Sequence, residues 1–138
     1  MNYQERTEMV IYRINRAKET LKEVSILIEN ELWTTAINRI YYACYYAVSG
    51  LLLHYRINSQ THSGTRQMFG LHFVKTGIVS KELGKFYSNI FNLRHTGDYD
   101  DFVEFDKNEV IINLKPANNL IDSIEQIINT EGKVQTNG

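Results

Sequence analysis

Arg94, His95 and Asp98 are the residues whose types and spacing come nearest to a reactive group, with Tyr99 directly after them. Cleaving RNA without a metal needs a histidine to take the 2′-hydroxyl proton and a cation to hold charge on the phosphorane. Arg94 supplies the cation. His95 supplies the base only if the helix end unwinds there, because adjacent residues of a helix point about 100° apart. His62 and His72 are the alternatives from a different helix, and the sequence does not place them. A plainer reading pairs Arg94 with Asp98 one helical turn on. The two roles are compatible.

The flank of this site is acidic. Asp98, Asp100, Asp101, Glu104 and Asp106 crowd one stretch and would repel RNA phosphates. Their spacing matches no regular divalent-ion loop, so no metal ligand is predicted. The stretch reads as a solvated loop, with Tyr99, Phe102 and Phe105 as apolar anchors for a basic partner. Arg39 is the one charge in a long apolar run, and an unpaired buried charge is costly. It either pairs with Asp98 or another carboxylate, or lines a cleft beside Arg94. His62, within Thr-His-Ser-Gly, suits a helix-start loop satisfying backbone groups, with nucleotide contact as the second reading. The tyrosines at 41, 42, 45 and 46 read as packing residues. Cys44, alone in the chain, reads as a buried and inert thiol. Gly64 and Gly70 form no phosphate-binding loop.

The elements that carry these residues are helical. Val10, Ile14, Ala17, Leu21, Val24 and Ile28 recur in steps of four and three, predicting a helix over 4–29, about 40 Å long. A second helix over 33–55 is apolar on more than one side and takes the central place. Thr61 or Ser59 caps a third containing Met68, Phe69, His72 and Phe73, stopped by Lys75 and Gly77. Ser80 caps a fourth, which Gly97 ends. Asp106 and Glu109 make a capping box for the last, whose stripe runs from Val110 to Ile128. Pro116 should kink or split that helix. The tail 131–138 is polar and reads as frayed.

The 138 residues suit one domain with one core, and a single proline favours long helices over a turn-rich sheet. Fifteen Lys plus Arg against sixteen Asp plus Glu give a net charge of -1, which argues against broad nucleic-acid binding but leaves room for a local basic cleft. The charged N-terminus lacks a signal-peptide core, and no apolar run is long enough to span a bilayer, so a cytoplasmic protein without a cofactor is expected.

Four blocks, Arg39-Ile-Tyr-Tyr-Ala-Cys-Tyr-Tyr-Ala, Ser59-Gln-Thr-His-Ser-Gly, Phe73-Val-Lys-Thr-Gly and Leu93-Arg-His-Thr-Gly-Asp-Tyr, come in the order and spacing of small prokaryotic HEPN-domain proteins, which the chain resembles over residues 5–130. The resemblance implies an all-α, antiparallel up-and-down bundle of about five helices that forms homodimers. It implies a toxin-type component working beside a minimal nucleotidyltransferase. Active members are metal-independent ribonucleases with an arginine and, after four to six intervening residues, a histidine, both subunits facing one cleft. Here Tyr99, Asp100 and Asp101 stand where that histidine would be. In some toxin pairs of this family the partner attaches adenylate to a tyrosine near the motif, and Tyr99 is the nearest candidate. The expected site is therefore a nucleotide- or RNA-facing cleft, with Arg94 and His95 as catalytic candidates and Arg39, His62, Asp98 and Tyr99 lining it. The alternative is a non-catalytic module that binds a nucleotide or a partner protein.

Overall fold

The computed structural model describes the backbone of residues 1–137 and the side chains of residues 1–130. The tail expected to be frayed instead continues the last helix as far as Asn137, and its side chains, from 131 on, lie outside the described residues. Among the described residues the chain forms α1 (Tyr3–Glu29), α2 (Trp33–His54), α3 (His62–Phe69), α4 (Lys81–Tyr99) and α5 (Lys107–Asn137), and no strand. The all-α bundle expected from the apolar spacing is the architecture observed.

Local chemistry explains where most helices start and stop. Asn2 and Glu5 cap α1 reciprocally: Asn2 Oδ1 accepts from the Glu5 N–H at 2.8 Å, and Glu5 Oε2 accepts from the Asn2 N–H at 3.1 Å. Asp106 and Glu109 repeat the device before α5. Thr61 Oγ1 caps α3 by accepting from the Gly64 N–H, while Ser59 turns instead to Thr65. Ser80 Oγ accepts from the Leu83 N–H and starts α4. Helices α1 and α2 both end in the same six-to-one turn, Leu32 N–H to Leu27 carbonyl and Ile57 N–H to Leu52 carbonyl. The residue in the left-handed position is Glu31 in one and Arg56 in the other, where glycine is usual.

Helix α2 is the central rod. Ala36, Ile37, Ile40, Tyr41, Ala43, Cys44, Ala47, Val48 and Leu51 are wholly buried. Helices α1, α3, α4 and α5 all pack on it. Gly50 lets α1 come near: a Cβ there would meet Arg13 Cβ at 3.4 Å and the Val10 carbonyl at 3.7 Å. The stripes Val10 to Val24 on α1 and Val110 to Ile124 on α5 complete the core.

Three boundaries depart from expectation. The third helix does not run regularly to Lys75; after Phe69 it widens into a π-helical turn, Gly70–Val74, closed by Lys75 N–H to the Gly70 carbonyl. Gly97 does not end α4, which continues to Tyr99. The glycine is there because Phe105 folds back onto it, and a Cβ would lie 2.7 Å from the ring. Asp98 and Tyr99 therefore sit on the last helical turn rather than in the loop. Pro116 does not split α5. The carbonyl it deprives of a partner belongs to Ile112, on the water-facing side at 68% exposure, where solvent can satisfy it. Neighbouring Asn113, Ala117 and Leu120 are anchored in the core.

Candidate functional site

Tyr41 and Tyr42 bring the charged and titratable residues together. Adjacent on α2, their rings meet edge to face at 5.3 Å, Tyr41 fully buried and Tyr42 half-buried. The Arg94 guanidinium, reaching over from α4, lies 4.8 Å from the centre of Tyr41 and 5.6 Å from that of Tyr42. Aromatic faces attract cations, most strongly where water is excluded. The Arg94 side chain is only 10% exposed, and its Nη1 donates to Asp98 Oδ2 at 3.0 Å. Its Nε is buried with no hydrogen-bond partner. Burial works against the charge of Arg94, but the Asp98 carboxylate and the two tyrosines outweigh it and hold the pKa above its ordinary value.

His62 enters the same cluster from the first turn of α3. Its Nδ1 is 2.7 Å from the Tyr41 hydroxyl. Its ring stacks on Tyr45 at 4.3 Å and meets Tyr42 edge to face at 5.6 Å. Burial, followed by the nearby Arg94 charge, lowers its pKa below the ordinary histidine value, so it is neutral at physiological pH. Tyr41 moves the other way: burial raises its hydroxyl to about 12, with Arg94 pulling in the opposite direction. Beneath it, Tyr87 is buried with an unpartnered hydroxyl, and burial raises its pKa well above normal. The site thus combines a fixed cation, a neutral imidazole and hydroxyls that stay protonated.

Among the described residues Arg39 pairs neither with Asp98, which pairs with Arg94, nor with another carboxylate. Its Nε and Nη2 donate to Asn38 Oδ1, and its guanidinium lies 5.0 Å from the centre of Tyr42. Tyr42 is therefore shared by two guanidiniums, and Arg39 sits at the edge of the Arg94 cluster.

His95 is the sequence candidate the geometry leaves outside. The helix end does not unwind, so His95 projects about 100° from Arg94 and is exposed, its ring 4.8 Å from Tyr99. Tyr99 is itself 73% exposed. His72 is exposed on the π-helical turn. The imidazole that joins Arg94 is His62, bonded to a tyrosine hydroxyl rather than to a backbone group. Tyr41, Tyr42 and Tyr45 pack as expected, and they also carry the polar groups of the cluster. The available signal was chemical: Tyr41, Tyr45 and Tyr87 put hydroxyls where phenylalanine would fill a core as well.

Cys44 is buried, and burial pushes its thiol pKa up, away from reactivity. Among the described residues no cluster of three His, Cys, Asp or Glu could hold a metal, and no helix is long and apolar enough to cross a membrane.

The family model described as HEPN domain matches residues 10–130. A UPF0332 protein of Thermotoga maritima is 44% identical over 124 residues, covering 90% of this chain and 94% of the relative. A protein of Methanocaldococcus jannaschii named as a toxin candidate, MJ0142, is 38% identical over 96 residues, covering 70% of this chain and 65% of the relative. A UPF0332 protein of Archaeoglobus fulgidus is 27% identical over 117 residues, covering 85% of this chain and 93% of the relative.

Proposed function

Since the chain belongs to the HEPN domain family, we propose that it is a toxin-type component whose Arg94 cleft faces the sugar–phosphate backbone of RNA. The observation that carries this reading is the Arg94 side chain itself. It is held across Tyr41, carries an unpartnered Nε, and shares that tyrosine with a neutral imidazole. Such an arrangement fits a phosphodiester better than a carboxylate-lined metal site or a hydrolase nucleophile.

In the proposed cleavage, His62 gives Nδ1–H to the Tyr41 oxygen, leaving Nε2 free to accept the 2′-hydroxyl proton. The 2′-oxygen bonds to phosphorus, the bond from phosphorus to the 5′-oxygen breaks, and that oxygen takes a proton from water. Arg94 holds the extra negative charge on the phosphorane. A homodimer, a nucleotidyltransferase partner and a cytoplasmic setting belong to the same reading. The name of the archaeal relative supports the toxin role. On this reading a partner that transfers adenylate would act on Tyr99, which is 73% exposed and lies five residues from Arg94.

A second reading is favoured by one observation. Asp98 already occupies one edge of Arg94, and the acidic residues beyond it oppose phosphate. On that reading the cleft binds a nucleotide or a partner protein without cleaving anything. Purified protein incubated with total RNA separates the two. Cleavage lost in both Arg94→Ala and His62→Ala, but kept in His95→Ala, supports the nuclease. No cleavage by the wild type at any pH from mildly acidic to mildly basic leaves the binding module.

A further inference from the structure

Tyr45 belongs to two places at once. Its ring stacks on His62, and it also lines a concave pocket of about 340 Å³ between α1, α2 and the connector leading into α3. Leu52 and Ile57 contribute apolar surface, Tyr45 and Tyr46 aromatic rings, and Asn58 and Arg13 polar groups. The volume is at the lower end of the range used for small ligands.

We propose that this pocket is a nucleobase subsite, taking the base of a nucleotide whose phosphate meets Arg94. The inference deepens the phosphate-cleft reading and rests on it for the second half of the ligand. His62 covers one face of Tyr45, and the Arg16 guanidinium lies 5.7 Å from the centre of Tyr46. A planar heterocycle would pack on the ring surface these leave to the pocket and on Leu52 and Ile57, much as unpaired bases are held on aromatic side chains. The edge of the base is read by Asn58. Its exposed side-chain amide makes no hydrogen bond among the described residues. One amide offers a donor and an acceptor in the same plane, the pattern that matches N6 and N7 of adenine. Arg13 gives one N–H to the Ser49 carbonyl at 3.2 Å and keeps its remaining donors for ribose or phosphate oxygens. Ser49 and Ser59 are turned inward to the protein, on the Tyr46 carbonyl and on Thr65, so adenine selectivity falls to Asn58.

The two halves of the ligand allow the two ideas to be tested apart. Uniformly ¹⁵N-labelled full-length protein is titrated with adenosine, uridine, ribose 5-phosphate and adenosine 5′-monophosphate, and amide shifts are followed. Adenosine is expected to move Asn58 and Ser59 and to bind about tenfold more tightly than uridine. Asn58→Leu, a surface change, should erase that preference and leave ribose 5-phosphate binding intact. Arg94→Gln should abolish ribose 5-phosphate binding and leave adenosine binding intact. If adenosine and uridine bind equally, or neither binds while ribose 5-phosphate does, the base pocket is wrong and the phosphate cleft stands. If adenosine binds at Asn58 but ribose 5-phosphate is indifferent to Arg94, the phosphate cleft is wrong and the pocket stands as a nucleoside site. A short adenine-containing RNA that binds more tightly than the monophosphate identifies RNA as the source of the base; the reverse order identifies a free nucleotide.

Discussion

The hydroxyl of Tyr41 lies 2.7 Å from Nδ1 of His62, and this contact ties the start of α3 to the middle of α2. It engages one ring nitrogen of the histidine and leaves Nε2 without a hydrogen-bond partner among the described residues. The same tyrosine carries Arg94 on its face, so one buried side chain orients both a cation and an imidazole.

Tyr41→Phe tests how much that contact contributes. The ring and its packing remain, and only the hydroxyl is lost. A net hydrogen bond stabilises by about 1 kcal/mol, and half-buried His62 can recover part of this from water. Chemical denaturation should show a loss of about 0.5 to 1 kcal/mol. A loss several times larger would mean that the hydroxyl also serves a buried network.

The pH dependence follows from the lowered pKa of His62, with Tyr41, Tyr42, Tyr45 and Arg94 around it. Its folded value lies below the unfolded value near 6.5. Above 6.5 the group is neutral in both states and carries no penalty. As pH falls below 6.5, the unfolded chain binds the proton first, so stability declines until the folded value is passed. His62→Gln should lose less stability across this acid window than the wild type. NMR titration of His62 should give a midpoint below 6.5.

Much of this was legible in the sequence, and what was not has physical causes. The stripes of α1 and α5 and the caps Ser80 and Asp106 are local patterns, and each was found where expected. Gly97 looks like a terminator because glycine is common at helix ends, whereas here it makes room for Phe105, a contact eight residues away. Arg94 and Asp98 are spaced for a helical pair, and their pairing was foreseen. That His62 rather than His95 joins them depends on how α3 docks against α2. No spacing within one helix encodes such a docking.

Glu31 and Arg56 hold left-handed backbone, φ 57° and 59°, at the ends of α1 and α2. Side chains with a Cβ carry a cost of roughly 1 kcal/mol there, and glycine does not. Both residues are exposed, and neither makes a side-chain hydrogen bond or ion pair among the described residues. Glu31→Gly and Arg56→Gly should each raise stability by about 0.5 kcal/mol, once glycine's greater freedom in the unfolded chain is counted. Thermal melts that fall for both variants would show that these turns are held by something other than backbone geometry.

Arg94→Lys is the sharpest test of why the site uses arginine. Lysine keeps the charge but replaces a flat guanidinium with a compact, strongly hydrated ammonium. The guanidinium now lies against Tyr41 and Tyr42 while Nη1 reaches Asp98, three contacts that need a plane with donors at its rim. An ammonium can meet the carboxylate or the ring face but serves both poorly, and with the side chain only 10% exposed it gives up most of its water. Losing the cation–aromatic contact costs about 1 kcal/mol, and the Asp98 pair, at 32% exposure, contributes less than that. Arg94→Lys should therefore lose about 1 to 2 kcal/mol in chemical denaturation, close to Arg94→Ala. In the ribose 5-phosphate titration it should fall well below wild type, because a compact ammonium cannot hold Asp98 and the tyrosine faces and still turn an N–H toward a phosphate. Were lysine to match arginine in both measurements, charge alone would suffice, and the stacked geometry on Tyr41 would have no part in recognition.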